Sequence, residues 1–138
     1  RSRFIKLASD VISYMPEYVA ERVIGLLNPK PKILVIGVTY KKDVKDLRKS
    51  PPIDIIDIFQ KRKIDVSYYD PLIPYLKLNH INLKSIDLTR QQLQKFDCVI
   101  IATDHSSLDY EFILRNSRLV FDTRNVYRNK NAKNIFRL

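Results

Sequence analysis

The sequence predicts an α/β domain: a Rossmann-like, doubly wound parallel sheet preceded by a long helix that a proline interrupts. Short apolar runs of strand length alternate with amphipathic stretches of helical length, as in parallel βαβ units. The strand runs are continuously apolar rather than alternating, which is typical of strands covered on both faces. The 138 residues are 45% hydrophobic, which is enough for one domain with its own core.

The long helix is predicted over residues 3–28, where apolar side chains recur at helical spacing. Pro16 lies in its middle and is expected to kink or split it. The apolar positions spread around much of the circumference, which predicts burial on more than one side. A partner chain, a missing domain and ordinary core packing all remain open as the source of that cover.

The remaining elements follow from the same two patterns. Strands are predicted at 32–38, 65–69, 97–103 and 118–122, and helices at 52–63, 89–96 and 108–116. Ser50 and Thr89 are expected to cap the first two of these helices, with Pro51 in the first turn. For residues 81–83 a short strand and a loop both stay open, and the polar tail from Asn129 is expected to fray.

Composition limits the partners and the compartment. The net charge is +10, but basic and acidic residues are interspersed, so an anionic small molecule is favoured over nucleic acid. The single cysteine, Cys98, lies in an apolar run and predicts a buried thiol in a cytoplasmic protein. No apolar run is long enough to span a membrane. The chain does not begin with Met, and we expect it to be a piece of a longer protein.

The loop after the first strand decides between two interpretations. It contains one glycine, Gly37, and so lacks the G-x-G-x-x-G turn that holds a dinucleotide pyrophosphate. Lys41 and Arg48 have the chemistry to pair with phosphate or carboxylate groups instead. The alternative is a solvated cluster of salt bridges, which is the stronger interpretation on these residues alone.

The stretch GVTYKKDVKDLRKSP resembles the signature of the carboxyl-terminal domain of the UDP-glucose/GDP-mannose dehydrogenase family. The matching positions are Gly37, Tyr40, Lys41, Asp43, Asp46, Arg48, Ser50 and Pro51. Three later segments, YDP at 69–71, ATDH at 102–105 and FDTRN at 121–125, also resemble family motifs in the right order. The helix RFI…MPEYV resembles the branch that acts on UDP-N-acetylhexosamines.

The resemblance implies a role for each matching residue. Tyr40, Lys41 and Arg124 match positions that bind the nucleotide sugar, and Arg48 matches one that faces NAD. Asp46 is expected to orient Arg48 or Lys41. The remaining candidates, His105, Tyr69 and Tyr127, are interpreted as structural. Neither a catalytic residue nor a metal ligand is predicted within the chain.

The resemblance also implies a division of the chain and a function. Residues 1–28 would be part of a central dimerisation helix, and residues 32–138 a UDP-sugar-binding domain. The intact enzyme would oxidise the C6 alcohol of a UDP-sugar to a carboxylate for polysaccharide precursor synthesis. Its NAD would be bound mainly by an amino-terminal domain outside this chain, and the fragment alone is expected to be inactive because it lacks the family's cysteine motif. The alternatives are a non-catalytic Rossmann-like module that binds anions or nucleic acid, and a domain kept for assembly.

Overall fold

The computed structural model describes residues 16–27, 30–43, 45, 47, 50–78 and 80–137. A helix, α1, covers residues 16–26. The other helices are α2 (Pro51–Lys61), α3 (Arg90–Leu93) and α4 (Tyr110–Asn116). The strands are β1 (Lys32–Ile36), β2 (Asp65–Tyr69), β3 (Tyr75–Leu78), β4 (Ile81–Lys84), β5 (Cys98–Ile101), β6 (Val120–Asp122) and β7 (Ile135–Arg137).

Five of the strands form one parallel sheet in the order β2-β1-β5-β6-β7. The chain places β2 on one side of β1 and then places β5, β6 and β7 on the other side. The strand order therefore reverses at β1. This arrangement confirms the predicted doubly wound sheet, and the reversal creates a crevice between the carboxyl ends of β1 and β5.

Both faces of the sheet are covered, which explains the continuously apolar strands. In β1, Ile33 and Val35 belong to a core cluster that includes buried residues of α1 and α2. Leu34 and Ile36 point the other way, into a cluster with Leu93 of α3 and residues of α4. Successive side chains of β1 therefore pack against opposite helical layers. A polar residue in this strand would be buried on whichever face it pointed to.

Helix α1 packs one face on the sheet and leaves the other exposed. Val19, Ala20 and Val23 are buried, whereas Tyr18 and Leu26 are 49% and 38% exposed. The helix predicted over 3–28 is thus confirmed for 16–26 and ends before Leu27, while residues 3–15 and 28 lie outside the described residues. No helix within the described ranges is both long and apolar enough to cross a bilayer.

Strands β3 and β4 form a separate antiparallel hairpin. The residues left open between strand and loop are thus a strand, Ile81–Lys84. His80, in the turn of the hairpin, pairs with Asp57 of α2 and so attaches the hairpin to that helix.

The prediction for the tail was wrong. Residues from Asn129 were expected to fray and β6 to be the last strand, yet β7 pairs in parallel with β6. Ile135 is 8% exposed, and the Arg137 guanidinium donates to the carbonyl oxygens of Tyr127 and Lys130, at 2.6 and 2.7 Å. The buried Ile135 side chain and these hydrogen bonds hold the tail in place, although most of its residues are polar.

The chain leaves α2 through a residue in a left-handed conformation. Lys63 has φ 63°, a conformation that suits glycine, and it is exposed. Because a Cβ atom is strained at that φ by roughly 1 kcal/mol, we expect Lys63→Gly to raise the free energy of unfolding by about 0.5–1 kcal/mol. Urea denaturation measures the change. The neighbouring exposed Lys61 is helical, so Lys61→Gly should lower stability by about 1 kcal/mol, and a loss in both variants would contradict the prediction.

Candidate functional site

The crevice at the strand reversal is bounded by the loops that follow β1, β5 and β6. Main-chain hydrogen bonds hold these loops together: Ala102 N donates to Ile36 O at 2.9 Å, and Thr123 N donates to Ile101 O at 3.2 Å. The three loops therefore leave the same sheet edge side by side, as expected for the ligand edge of an open α/β sheet.

Gly37 makes this close packing possible. It ends β1 with φ 89°, and its N–H donates to Tyr69 O at 2.8 Å. A Cβ atom built on Gly37 would overlap the Cβ of Thr103 and lie 2.9 Å from its backbone nitrogen. The strand predicted to reach Val38 consequently ends at Ile36, because the backbone turns at the glycine.

A cavity of about 280 Å³ opens beside these loops. Its lining residues are Pro16, Val19, Tyr40, Pro51, Pro52, Ile55, Ala102, Thr123 and Arg124. The walls come from α1, α2 and the ends of β5 and β6, and most of them are apolar. Small-molecule sites usually have this composition, in which an apolar lining carries a few polar groups.

Two of the predicted site residues meet at this cavity. Tyr40, which is 46% exposed, and Arg124 both line it, although they are far apart in sequence. Lys41 is the exposed neighbour of Tyr40 in the same loop but does not line the cavity. Arg48 and Asp46 lie outside the described residues.

Helix α2 begins in a way that excludes phosphate binding at its first turn. Pro51 and Pro52 have no N–H groups, and Ile53 N already donates to Ser50 O at 3.1 Å. The prediction that the Ser50 side chain caps the helix was wrong: its hydroxyl donates to Val38 O at 2.6 Å. Since the turn has neither free helix N–H groups nor a second glycine, these residues do not fit the pyrophosphate of NAD.

Buried polar groups fix the loop that carries Tyr40 and Lys41. Thr103 Oγ1 donates to Thr39 O, and Thr39 Oγ1 donates to Lys41 O, each at 2.7 Å. Both threonines are fully buried. The main chain on both sides of Tyr40 is therefore held, while the side chains of Tyr40 and Lys41 stay exposed to solvent.

Asp70 and His105 lie beneath the same loop, and each is at most 2% exposed. The Asp70 carboxylate accepts from Val38 N and from Leu72 N, both at 2.8 Å. His105 Nε2 lies 3.0 Å from Asp70 Oδ2, and Asp43 N donates to His105 Nδ1 at 2.7 Å. The structure thus agrees with a structural role for His105 in the part of the chain described here.

Asp43 has a defined partner within the loop. Its carboxylate accepts from the backbone N–H and the hydroxyl of Ser106. These hydrogen bonds hold the pKa of Asp43 below its usual value. In the described part of the loop this carboxylate is thus directed to Ser106 rather than to a lysine, which weakens the interpretation as a salt-bridge cluster.

Asp122 shapes the turn that presents Arg124. Its carboxylate, 2% exposed, accepts from the backbone N–H groups of Arg124, Val126 and Tyr127 at 3.1, 3.1 and 2.9 Å. Asn125 has φ 62°, so the chain reverses within this turn. The result is an Arg124 side chain that is exposed at the cavity on a fixed main chain.

The other reactive or aromatic candidates are part of the core. Cys98 is fully buried, and desolvation raises the pKa of its thiol to about 12, so it carries no thiolate at neutral pH. Tyr127 is 3% exposed, donates its hydroxyl to Tyr110 O and packs edge-to-face on the Tyr110 ring. Tyr69 packs against the second core cluster.

No group of three metal-ligating side chains occurs among the residues of the described ranges.

Sequence reasoning gave no role to three of the groups that build the site. Asp70, Thr103 and Thr123 belong to the motifs YDP, ATDH and FDTRN, but the sequence alone indicates no function for them. One available signal was their position, since each follows directly after a predicted strand or ends it. An Asp before Pro is also a frequent start of a turn, which is how Asp70 accepts from Leu72 N.

A model of the UDP binding domain of the UDP-glucose/GDP-mannose dehydrogenase family matches residues 34–129. The chain belongs to this family. It is 34% identical, over 91% of its length, to a UDP-N-acetyl-D-mannosamine dehydrogenase from Methanococcus vannielii. It is 29% identical, over 96% of its length, to a UDP-glucose 6-dehydrogenase from Rickettsia conorii.

Solved structures agree with this membership. The fold is similar to that of the UDP-D-ManNAc dehydrogenase from Pyrococcus horikoshii, with a TM-score of 0.73 and 26% identity over 96% of this chain and 32% of that one. The UDP-N-acetyl-mannosamine dehydrogenase from Staphylococcus aureus gives 0.69 and 27% over 93% of this chain and 32% of that one. The chain spans about a third of the length of its relatives: 31% of the Methanococcus vannielii protein and 33% of the Rickettsia conorii protein.

Proposed function

We propose that this domain binds the UDP part of a nucleotide sugar at the carboxyl edge of its sheet. One observation carries the proposal: Tyr40 and Arg124 line the same cavity at the strand reversal, in a chain that matches a UDP binding domain. A diphosphate is doubly charged, and because α2 offers no free N–H groups in its first turn, cationic side chains must neutralise it.

Each predicted residue then has a physical task. The planar guanidinium of Arg124 would donate hydrogen bonds to the diphosphate. Lys41 would supply a second positive charge from the loop after β1. Tyr40 would cover an apolar part of the ligand. For Arg48 we propose contact with NAD held by another part of the protein, as the family resemblance implies.

For the whole protein we propose an NAD-dependent UDP-sugar 6-dehydrogenase that converts the C6 alcohol of the sugar to a carboxylate for polysaccharide precursors. The NAD site and the nucleophile would lie in a domain outside this chain, because the turn after β1 does not fit a pyrophosphate and Cys98 is buried. The chain alone would therefore form no NADH. A homodimer through residues 1–28 and a cytoplasmic location complete the proposal.

As the sugar we propose a UDP-N-acetylhexosamine. The motif of the first helix favours it, and relatives that are 31–34% identical over 91% of this chain are named UDP-N-acetyl-D-mannosamine dehydrogenases. UDP-glucose is the second candidate, supported by the Rickettsia conorii relative at 29% identity.

Calorimetric titration of the 138-residue chain with UDP tests the binding site. Saturable binding is expected, and Lys41→Ala and Arg124→Ala should each weaken it about 10-fold or more, since a charged hydrogen bond contributes roughly 1.5–3 kcal/mol. Lys30→Ala and Arg118→Ala are matched controls, because these exposed residues precede the amino ends of β1 and β6, at the opposite sheet edge. Both controls should bind UDP like the unchanged chain.

Equal weakening by the control substitutions would indicate non-specific attraction to a chain of net charge +10. Salt-sensitive binding of DNA of any sequence, with no saturable UDP binding, would favour the nucleic-acid module instead. Either result would contradict the proposed UDP site.

A further inference from the structure

We propose that the buried Asp70–His105 pair positions the Tyr40–Lys41 loop for UDP, by holding the main chain at both ends of that loop. The inference rests on the proposed UDP site and adds to it two buried residues. The side chains of Asp70 and His105 are 0% and 1% exposed, so we expect them to affect binding through the loop they hold.

The hydrogen bonds define the arrangement. Asp70 Oδ2 accepts from Val38 N, two residues before Tyr40, at 2.8 Å. His105 Nδ1 accepts from Asp43 N, two residues after Lys41, at 2.7 Å. The contact between His105 Nε2 and Asp70 Oδ2, at 3.0 Å, joins the two anchors. One carboxylate–imidazole pair therefore fixes the distance between the two ends of the loop.

This geometry determines where the imidazole proton lies. Asp43 N–H is a donor, so Nδ1 must be unprotonated, and the proton is on Nε2, where it faces Asp70 Oδ2. Thr39 Oγ1, at 3.4 Å, is the next acceptor near Nε2. A proton on Nδ1 would face the Asp43 N–H and break the anchor at that end.

The two ends of the imidazole can be separated by substitution. In His105→Asn the amide oxygen takes the place of Nδ1, two bonds from Cβ, and can accept from Asp43 N. In His105→Gln the amide nitrogen takes the place of Nε2 and can donate to Asp70, but the contact with Asp43 is lost. Asn is one methylene smaller than Gln, so a general loss of packing at this buried position should weaken His105→Asn more than His105→Gln.

The expected result is a difference in UDP affinity that stability does not explain. His105→Gln should bind UDP about 10-fold more weakly than His105→Asn, as expected when one hydrogen bond that positions the loop is lost. Urea midpoints of the two variants should be similar. Exchange of the Asp43 amide hydrogen should be slow in the unchanged chain and in His105→Asn, and fast in His105→Gln.

Equal UDP affinities in the two variants would overturn the inference while leaving the UDP site intact. Absence of UDP binding by the unchanged chain would remove the proposed function as well, so the two failures are distinguishable. If neither variant folds, long-range ¹H–¹⁵N spectra of the unchanged chain at neutral pH decide. A proton on Nε2 supports the arrangement, and a proton on Nδ1 overturns it.

Discussion

Gly37→Ala is expected to lower the free energy of unfolding by about 3 kcal/mol or more. At φ 89° any Cβ atom is strained, and here the Cβ would also overlap Thr103, which is fully buried. Relief requires β1 and β5 to move apart at the sheet edge, which breaks main-chain hydrogen bonds as well. Urea denaturation of the purified variant measures the loss, and no stable folded state is the extreme outcome.

The chain provides its own control, because it contains one other glycine. Gly25 lies in α1 with no atom within 4 Å of the position of an added Cβ. Since alanine is the better helix former, Gly25→Ala should stabilise the chain by about 0.5–1 kcal/mol. Opposite signs for the same chemical change are the prediction. A loss below about 1 kcal/mol for Gly37→Ala would show that the sheet edge adapts, against the argument from close packing.

Asp122→Asn is expected to cost about 2–3 kcal/mol although it preserves the shape of the side chain. The carboxylate accepts from three backbone N–H groups, two at Oδ1 and one at Oδ2. An amide has one acceptor oxygen, so its NH₂ group would face a buried N–H and leave it without a partner. Because the turn presents Arg124, UDP affinity should fall together with stability.

Asp109→Asn is the matched control for this substitution. Asp109 is exposed and caps α4 by accepting from Phe112 N at 3.0 Å. Asparagine caps a helix about as well as aspartate, so the cost should be a few tenths of a kcal/mol. A comparable loss in both variants would mean that the charge, rather than the three-donor turn, accounts for the effect.

The fold could largely be predicted because its central strands have an unambiguous pattern. Ile33–Ile36 and Cys98–Ile101 are buried on both faces, and such runs identify parallel strands directly. Strand β7 was missed since Ile135–Arg137 is only three residues long and lies within a polar segment. Its position is fixed by hydrogen bonds from Val120 N and Arg137 to distant carbonyl groups, which no local pattern reveals.

The site was predictable only in part. The resemblance indicated Tyr40 and Arg124, and the structure brings them to one cavity. The supporting contacts could not be predicted, because the same polar residue has several partners within reach. Ser50 illustrates this, because its sequence context predicts a helix cap. Pro52 has no N–H for such a cap, and the N–H of the residue after it donates to the Ser50 carbonyl oxygen. The hydroxyl donates to Val38 O instead.

The position of β1 between β2 and β5 has a consequence for the order in which the chain assembles. Lys32 pairs with Asp65 and Ile33 with Cys98, so both neighbours of β1 are synthesised after it, the second about 65 residues later. At a synthesis rate of roughly 5–20 residues per second, β1 waits about 3–13 seconds for β5. During that interval an apolar strand with an unpaired edge is open to other chains. We therefore expect this domain to fold slowly and to need protection from aggregation while the ribosome completes it.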